Sequence, residues 1–198
     1  MSRFGTGLGF NIQDIALISG IATEILNANV ANLTGVGSGF QIGQVPVNYT
    51  TIAGFTWGAW ISSSTLGTGK EIISSSTSGF NMHLDFKLDE VTNGLSVAVN
   101  VVSPAGFQYV TSSTNITDGD WHCVAFTYVK ATRTVKLYVD GILDTTGVLT
   151  GDPHFLDNPE TALGKFAYQD VSNFSGSMFK NYIYRRVLTD AELLVKAN

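Results

Sequence analysis

The chain has 198 residues, enough for one domain with a sizeable core and a short extension. Hydrophobic residues make up 44% of it and charged residues only 14%, so we expect Gly, Ser, Thr and Asn to cover much of the surface, as in β-rich proteins with many turns. The net charge is -5 and Lys and Arg do not cluster, which argues against a nucleic-acid binder because phosphate affinity comes from clustered cations.

Cysteine content and apolar runs limit the possible compartments. The single cysteine, Cys123, excludes an internal disulfide, and its place in a predicted strand indicates a small buried thiol. No run of about 18 apolar residues occurs, so no membrane span is predicted. The glycine-broken start after Met1 lacks the features of a signal peptide. We therefore expect a protein kept in the cytosol, or one that leaves the cell as part of a larger particle.

Residues 1–27 differ from the rest and are predicted to be an N-terminal extension of a domain at residues 28–198. Three glycines break the start, and isoleucines then recur among few charges. A segment this apolar should pack against something. It is either the first strand of a sandwich, docked on its own domain, or an arm that anchors the chain to a partner. The sequence leaves both possibilities open.

The middle of the chain reads as short strands separated by turns. Alternate residues of segment 55–62 lie on opposite faces. Segment 80–88 has the clearest period of two, which predicts one core face and one wet face. Asn93-Gly94 is a strong hairpin signal, and the apolar row continues on the returning strand at 95–101. Another short strand is predicted at 107–111.

Residues 118–141 are the most informative stretch and predict a hairpin. Asp118-Gly119 and Asp140-Gly141 accept the positive φ of tight turns and mark its two ends. Between them lies an aromatic and β-branched strand, a short polar connection, and a strand of alternating apolar and polar residues.

The last part of the chain alternates loops and strands and ends in a helix. We predict a loop at 151–160, a strand at 162–168, a loop at 169–175 and a last strand at 177–184. Thr189 and Glu192 fit a capping box at the start of the helix. About ten to twelve short strands with regular turns predict an all-β fold, an antiparallel jelly-roll sandwich with a short C-terminal helix.

Three motifs in this order resemble the laminin-G-like jelly roll of the concanavalin A-like lectin and glucanase superfamily. They are FTWGAWIS, then DGDWHCVAFTYV followed by VKLYVDG, and finally FSGSMFKNYIYRRVLTDAEL. The resemblance covers roughly residues 30–195 and implies the same fold. The positions of the last motif that match the family pattern are Phe174, Gly176, Ile183, Tyr184, Arg186, Leu188, Thr189 and Glu192.

The chain also departs from this family. Phe179-Lys180 stands where members often carry an Asp-Glu pair, which puts in doubt any metal or ligand role of that pair. The Glu-x-Asp-x-x-Glu signature of the glucanase branch is absent, and Asp85, Asp89 and Glu90 do not reproduce it. We therefore predict no catalytic residue and no enzymatic activity.

One loop is a candidate calcium site. Oxygen-bearing side chains gather in GDPHFLDNPE, and the candidate ligands are Asp152, Asp157, Asn158 and Glu160. His154 lies in the same loop. The alternative is an acidic, solvated loop without metal, which we favour because the spacing matches no recognised calcium loop. No other cofactor is predicted.

Tryptophans and histidines are weaker candidates. Trp57, Trp60 and Trp121 could stack on sugar rings, but their apolar strand neighbours favour core packing for all three. His83 and His122 are not accompanied by a nucleophile motif, so we expect solvated strand residues.

Three functions remain, in order of preference. The first is a non-catalytic structural or decoration subunit of a virus particle such as a tailed phage, located in the virion. Its N-terminal arm would dock on a capsid or tail protein, and it would form a homo-oligomer such as a trimer. The second is a carbohydrate-binding module, which could depend on calcium and would use the loops at 151–160 and 169–175. The third, a glycoside hydrolase, is the least favoured.

Overall fold

A computed structural model describes most of the chain. The described residues are 15–18, 22–25, 30–35, 38–44, 47–65, 70–77, 82–103, 105–169 and 171–198. Residues 80 and 81, where the strand at 80–88 is predicted to begin, lie outside them. Among the described residues, no helix is both long and apolar enough to cross a bilayer.

Two antiparallel sheets and one helix make up the fold, which confirms the predicted fold class. In order across the larger sheet lie β1 (Ile15–Ile18), β2 (Ala22–Ile25), β14 (Ser175–Tyr184), β5 (Gly54–Ser62), β10 (Trp121–Val129), β11 (Thr134–Val139) and β12 (Ile142–Val148). Its eighth strand, β3 (Ala31–Thr34), also pairs with β14. In order across the smaller sheet lie β4 (Phe40–Gln44), β13 (Glu160–Leu163), β6 (Lys70–Ser76), β7 (His83–Leu88), β8 (Leu95–Val101) and β9 (Gly106–Thr111).

The predicted hairpin forms between β10 and β11. Its register runs from Val124 opposite Val139 to Val129 opposite Thr134. A single 3-10 turn connects the strands, and both residues of Asp140-Gly141 have positive φ, as the turn chemistry predicts. Cys123 is buried as expected, and this burial raises the pKa of its thiol to about 12.

Strand β12 is not predicted from the sequence. Its residues, ILDTTGV, lack a clean alternation of apolar and polar side chains. It lies at the edge of the larger sheet, where within the described ranges it pairs only with β11, and its burial pattern is irregular.

Aromatic side chains fill the space between the sheets. The ring of Phe126 from β10 lies 5.4 Å from Trp57, 5.7 Å from Phe55 and 5.2 Å from Phe86 of the opposite sheet, between centroids. All four side chains are fully buried, and such pairs favour edge-to-face or tilted packing. Phe126 therefore joins the two sheets at their centre.

The three tryptophans do not share one environment. Trp57 is in the core, as expected. Trp60 is half-buried on the outer face of the larger sheet. Trp121, expected in the core, is 39% exposed, so that expectation is wrong. The reason is the register: Trp121 lies opposite Ser62, and directly paired residues point to the same face, here the outer one.

The C-terminal helix α1 (Asp190–Lys196) has the predicted capping box. Thr189 Oγ1 accepts a hydrogen bond from the Glu192 amide, and the Glu192 carboxylate accepts one from the Thr189 amide. Arg186 also donates to both Glu192 oxygens, at 2.6 and 2.9 Å, and this bonding lowers the pKa of Glu192 to about 2. Leu193 then packs on the outer face of the larger sheet.

The N-terminal segment contributes two strands to the larger sheet. β2 pairs with β14, with Thr23 opposite Ile183 and Ala22 opposite Tyr184, and β1 pairs with β2. The division into an arm at 1–27 and a domain at 28–198, and any docking of that arm on a partner, stay predictions.

The glycine of the Phe-x-Gly motif offers a test of the fold. Gly176 has φ +145 and a Cβ there would lie 2.2 Å from the Ser62 carbonyl oxygen, whereas Gly106 has nearly the same φ, +141, and open space around it. Both Gly176→Ala and Gly106→Ala impose backbone strain. We expect Gly176→Ala to lower the free energy of unfolding by about 1–3 kcal/mol more than Gly106→Ala, because only there does the new methyl group clash with a backbone carbonyl. Urea denaturation measures this difference, and equal losses in the two variants would contradict it.

Candidate functional site

The outer face of the smaller sheet carries the candidate site. Residues that are directly opposite in neighbouring antiparallel strands share a face. The register therefore places Asp85 beside Ala98 and Tyr109 on one line across β7, β8 and β9. The neighbouring row of outward-facing paired residues on one side contains Lys87, and the neighbouring row on the other side contains Phe107. We call the surface formed by His83, Lys87, Phe107 and Tyr109 the aromatic face.

Two exposed aromatic rings dominate this face. Phe107 is 47% and Tyr109 58% exposed, and their ring centroids are 6.4 Å apart with 33° between the planes. Both side chains lie on the edge strand β9, two residues apart; Gln108 between them is half-buried on the other face, and Val110, which follows Tyr109, is buried in the core. Lys87 places its ammonium 5.7 Å from the centre of the Tyr109 ring. The face thus combines apolar ring surface with a hydrogen-bond donor of positive charge.

His83 is packed rather than solvated, so the expectation for this residue is wrong. Its ring contacts Phe107 edge-to-face at 4.6 Å and lies against Phe166 at 4.8 Å, between centroids. A ring nitrogen of His83 is hydrogen-bonded to Asp85, which also accepts a 2.7 Å bond from Ser74. These contacts fix the orientation of the His83 ring beside Phe107.

Segment 164–174, of which the structure describes 164–169 and 171–174, explains why part of this face is covered. The predicted strand at 162–168 ends at Leu163, because Gly164 has φ +68 and turns the chain out of the sheet. The segment then crosses the outer side of β6, where the Ala167 amide donates to Ser74 and the Glu71 amide donates to the Ser172 carbonyl. The wet face predicted for residues 80–88 is consequently wet only in part, and Asp85 is buried.

Glu71 is the most unusual acid on this side of the sheet. It is 3% exposed, and burial raises the pKa of its carboxyl well above the ordinary value; the negative charge of Asp85 raises it further, while Lys87 lowers it. Within the described part of the chain, Oε2 of Glu71 has no hydrogen-bond partner, and neither has Oδ1 of Asn173, the residue opposite it in an isolated parallel bridge. Glu71 and Asp85 are both buried.

The four candidate calcium ligands point to different partners. Asp157 accepts bonds from the amide and the hydroxyl of Thr50, which lower its pKa. The other two acids and the asparagine are separated as well: Asp152 is 3.3 Å from Arg133, Glu160 accepts from Gln41, and Asn158 has φ 51 in a turn.

A metal needs several of these oxygens at one point. Among the described residues, no group of three or more His, Cys, Asp or Glu side chains could hold a metal ion. In this structure the four candidate ligands are not gathered at one point, and calcium binding stays a prediction.

His122 connects the turn that precedes β10 with the turn that follows β11. Its Nδ1 lies 2.9 Å from Asp140 and its Nε2 lies 3.2 Å from Asp118. Burial lowers the pKa of His122, but the bonds to the two carboxylates outweigh this effect and raise the pKa overall. Asp140 also accepts a bond from the Cys123 amide. These contacts give His122 a structural role in the turns.

The sequence matches the family model described as the concanavalin A-like lectin/glucanases superfamily over residues 34–194. The chain belongs to this superfamily. The resemblance inferred from the three motifs is therefore confirmed. No curated protein matches the sequence.

Solved structures with similar folds include sugar-binding and oligomeric proteins. Domain 4 of a GH43 extracellular arabinanase from Geobacillus stearothermophilus, in complex with arabinotriose, has a TM-score of 0.68 and 20% identity, and the match covers 93% of this chain and 84% of that chain. The CBM40 of the Ruminococcus gnavus IT-sialidase has a TM-score of 0.63 and 16% identity, over 81% of this chain and 96% of that chain. The heptameric SAP-like pentraxin from Limulus polyphemus has a TM-score of 0.64 and 15% identity, over 85% and 81%. At these identities the likeness shows the fold alone.

Sequence reasoning did not select the aromatic face or Glu71. For Phe107 and Tyr109 a signal existed, since two aromatic residues spaced by two share one face of a strand, and apolar Val110 next to them falls on the opposite face. Their exposure depends on how far segment 164–174 extends across the outer face of the smaller sheet, and no local sequence pattern indicates this extent. Glu71 gave no signal, because the segment that buries it comes about 100 residues later in the chain.

The buried Glu71 carboxyl predicts that the stability of the folded state depends on pH. Because its folded-state pKa is raised, the folded state binds the proton more tightly, and stability falls as pH rises from about 4.5 towards the folded-state pKa. Glu71→Gln removes this titration. We expect the stability of the variant relative to the parent to grow with pH over this window, by at most about 1.4 kcal/mol per pH unit. Chemical denaturation at pH 5, 7 and 9 measures it.

Glu90→Gln is the control for the Glu71 variant, since Glu90 is exposed and the change removes the same formal charge. The same trend with pH in both variants would contradict a specific burial penalty at Glu71.

Proposed function

We propose that this chain is a carbohydrate-binding module whose sugar platform is the aromatic face. The observation that carries the proposal is the pair of exposed rings, Phe107 and Tyr109, on a strand that is firmly paired with β8. Exposed aromatic rings offer apolar surface on which the C–H groups of a sugar ring can pack. A position on a sheet keeps this surface rigid, which lowers the entropy cost of binding.

Polar groups around the rings supply the directional part of binding. Lys87 is half-buried beside Tyr109, and its ammonium can donate to hydroxyl or carboxylate oxygens of a bound sugar. His83 is held in place by Asp85 and by Phe166, so the ring next to Phe107 is ordered before a ligand arrives. Few, well-placed polar groups next to an apolar platform are typical of small-ligand sites.

Relatives in fold support this proposal. The Ruminococcus gnavus CBM40 has been solved bound to alpha2,3 sialyllactose, and the arabinanase domain in complex with arabinotriose. These complexes are properties of those two proteins, and for this chain they favour the carbohydrate-binding hypothesis over the virion-subunit hypothesis. The virion location, the capsid or tail partner and the dependence on calcium stay predictions. A glycoside hydrolase gains no support from Glu71 and Asp85, because both carboxylates are buried beneath segment 164–174.

A glycan array followed by titration calorimetry on the best oligosaccharide tests the proposal, with sialyllactose and arabinotriose as the first probes. Tyr109→Ala should weaken binding about tenfold or more, because truncating an aromatic side chain at the centre of a binding surface typically costs more than about 1 kcal/mol. Trp121→Ala is the matched control, since it removes an exposed aromatic ring from the opposite sheet and should leave the affinity unchanged.

Two outcomes would reject the proposal: no binding to any glycan on the array, or equal losses for Tyr109→Ala and Trp121→Ala. Repeating the titration with a chelator tests the separate prediction of calcium dependence. Thermal unfolding of each variant shows whether it is folded.

A further inference from the structure

Two buried oxygen atoms beneath segment 164–174 lack a hydrogen-bond donor. Among the residues that the structure describes, Oε2 of Glu71 and Oδ1 of Asn173 have no partner, although the two residues are only 3% and 7% exposed. Both atoms are acceptors when the carboxyl is ionised, so neither can satisfy the other. A buried acceptor without a donor destabilises the folded state, so a native structure is expected to supply one.

The backbone places these two side chains next to each other. Glu71 and Asn173 form an isolated parallel bridge, and the Glu71 amide donates to the Ser172 carbonyl at 2.9 Å. Residues that are paired in this way have neighbouring side chains on one face. A proton on Glu71 turns its carboxyl into a donor, and Oδ1 of Asn173 is an acceptor beside it. One hydrogen bond between the two side chains then satisfies both oxygens.

The surroundings of Glu71 favour the neutral carboxyl. Burial raises its pKa most, the carboxylate of Asp85 on β7 raises it further, and Lys87 on the same strand lowers it. Lys70, the preceding residue of β6, is paired with the core residue Leu88 and so lies on the other face. The other titratable side chains of the packed elements have different neighbours or face solvent: His83 is bonded to Asp85, Glu160 to Gln41, Lys165 packs on Gly39, and Tyr168 is exposed.

Residues 171–174, which include Asn173, are linked to the aromatic face. The Phe166 amide donates to the Val171 carbonyl at 3.2 Å, so the two arms of the segment are held together. The Phe166 ring lies against the ring of His83, and His83 contacts Phe107 edge-to-face. A displacement of residues 171–174 therefore removes support from His83 at the sugar platform.

We propose that Glu71 carries a proton in the folded protein and donates a hydrogen bond to Oδ1 of Asn173, and that loss of this proton releases residues 171–174 and loosens His83. An ionised Glu71 is a buried charge beside an acceptor, and water reaches it only when these residues lift from β6. We call this proton-dependent contact the Glu71–Asn173 latch. Its effect on sugar binding rests on the proposed function, whereas the latch itself does not.

Hydrogen exchange over a range of pH tests the latch. Glu71 is protonated while the latch is closed and ionises once it is solvated, so opening becomes easier as pH rises from about 4.5 towards the folded-state pKa. The amides of Glu71 and Ala167 donate to Ser172 and Ser74 across this contact. We expect their protection factors to fall by up to about tenfold per pH unit in this window. In Glu71→Gln, whose side-chain amide donates at every pH, they should stay level.

Glu90→Gln is the matched control, since Glu90 is exposed in the turn after β7 and the variant should keep the pH profile of the parent. The NMR chemical shift of the Glu71 carboxyl carbon reports protonation directly in the parent chain, so the test stays decisive if Glu71→Gln fails to fold. A carboxyl that ionises near its ordinary pKa would overturn the proposal, because the amide group of Asn173 would then donate to a carboxylate. Equal profiles in the parent and in Glu71→Gln would overturn it too.

Calorimetry with sialyllactose and arabinotriose tests the link to the aromatic face. At a pH where the NMR titration shows Glu71 ionised, the parent should bind about threefold or more weakly than Glu71→Gln, because a smaller fraction of it is competent to bind. Any titration of His83 or Lys87 is common to both chains and cancels. Equal affinities at that pH would overturn the link. Exchange that follows the expected profile in a chain that binds no glycan would support the latch and reject the proposed function.

Discussion

The packing of aromatic side chains between the two sheets is the interaction on which the other features depend. Phe126, at the centre, contacts Trp57 and Phe55 of its own sheet and Phe86 of the other. Burial of such rings contributes several kcal/mol each, about 3–5 when a large aromatic is truncated to alanine. It holds the smaller sheet in a fixed position, so the strands that carry the aromatic face behave as one rigid support.

A second layer of packing outside each sheet decides what remains exposed. Helix α1 covers part of the larger sheet through Leu193, and segment 164–174 covers part of the smaller one through Phe166. The covered region contains the Glu71 carboxyl, and its burial raises the pKa of that carboxyl. Next to it the cover ends, and Phe107 and Tyr109 stay accessible. The candidate site is therefore the uncovered remainder of a face that is otherwise closed.

The superfamily assignment establishes the fold, and the geometry of the aromatic face is the basis of the proposed function. The family model spans residues 34–194, and the folds of sugar-binding domains match most of the chain at low identity. Identity this low transfers a fold but not a ligand. The ligand class has to be argued from the residues themselves, and the proposal of a carbohydrate rests on two exposed rings with Lys87 beside them. The structure also divides the tryptophans between core and surface, so aromatic content alone does not locate a sugar site.

The sequence by itself determined the fold, most of the strands and the hairpin turns, because these depend on local signals; β12, at the edge of the larger sheet, carries no such signal. Alternation places Leu84 and Phe86 in the core, Asp140-Gly141 makes its turn, and Thr189 with Glu192 caps the helix. Only the tertiary structure decided which outward residues are covered. Glu71 is buried and Trp121 is exposed although both lie on strands with apolar neighbours, because distant segments and strand register set their surroundings. No local sequence pattern indicates which outward-facing side chains a distant segment will cover. The fold could therefore be predicted from the sequence, whereas the candidate site could be found only in the structure.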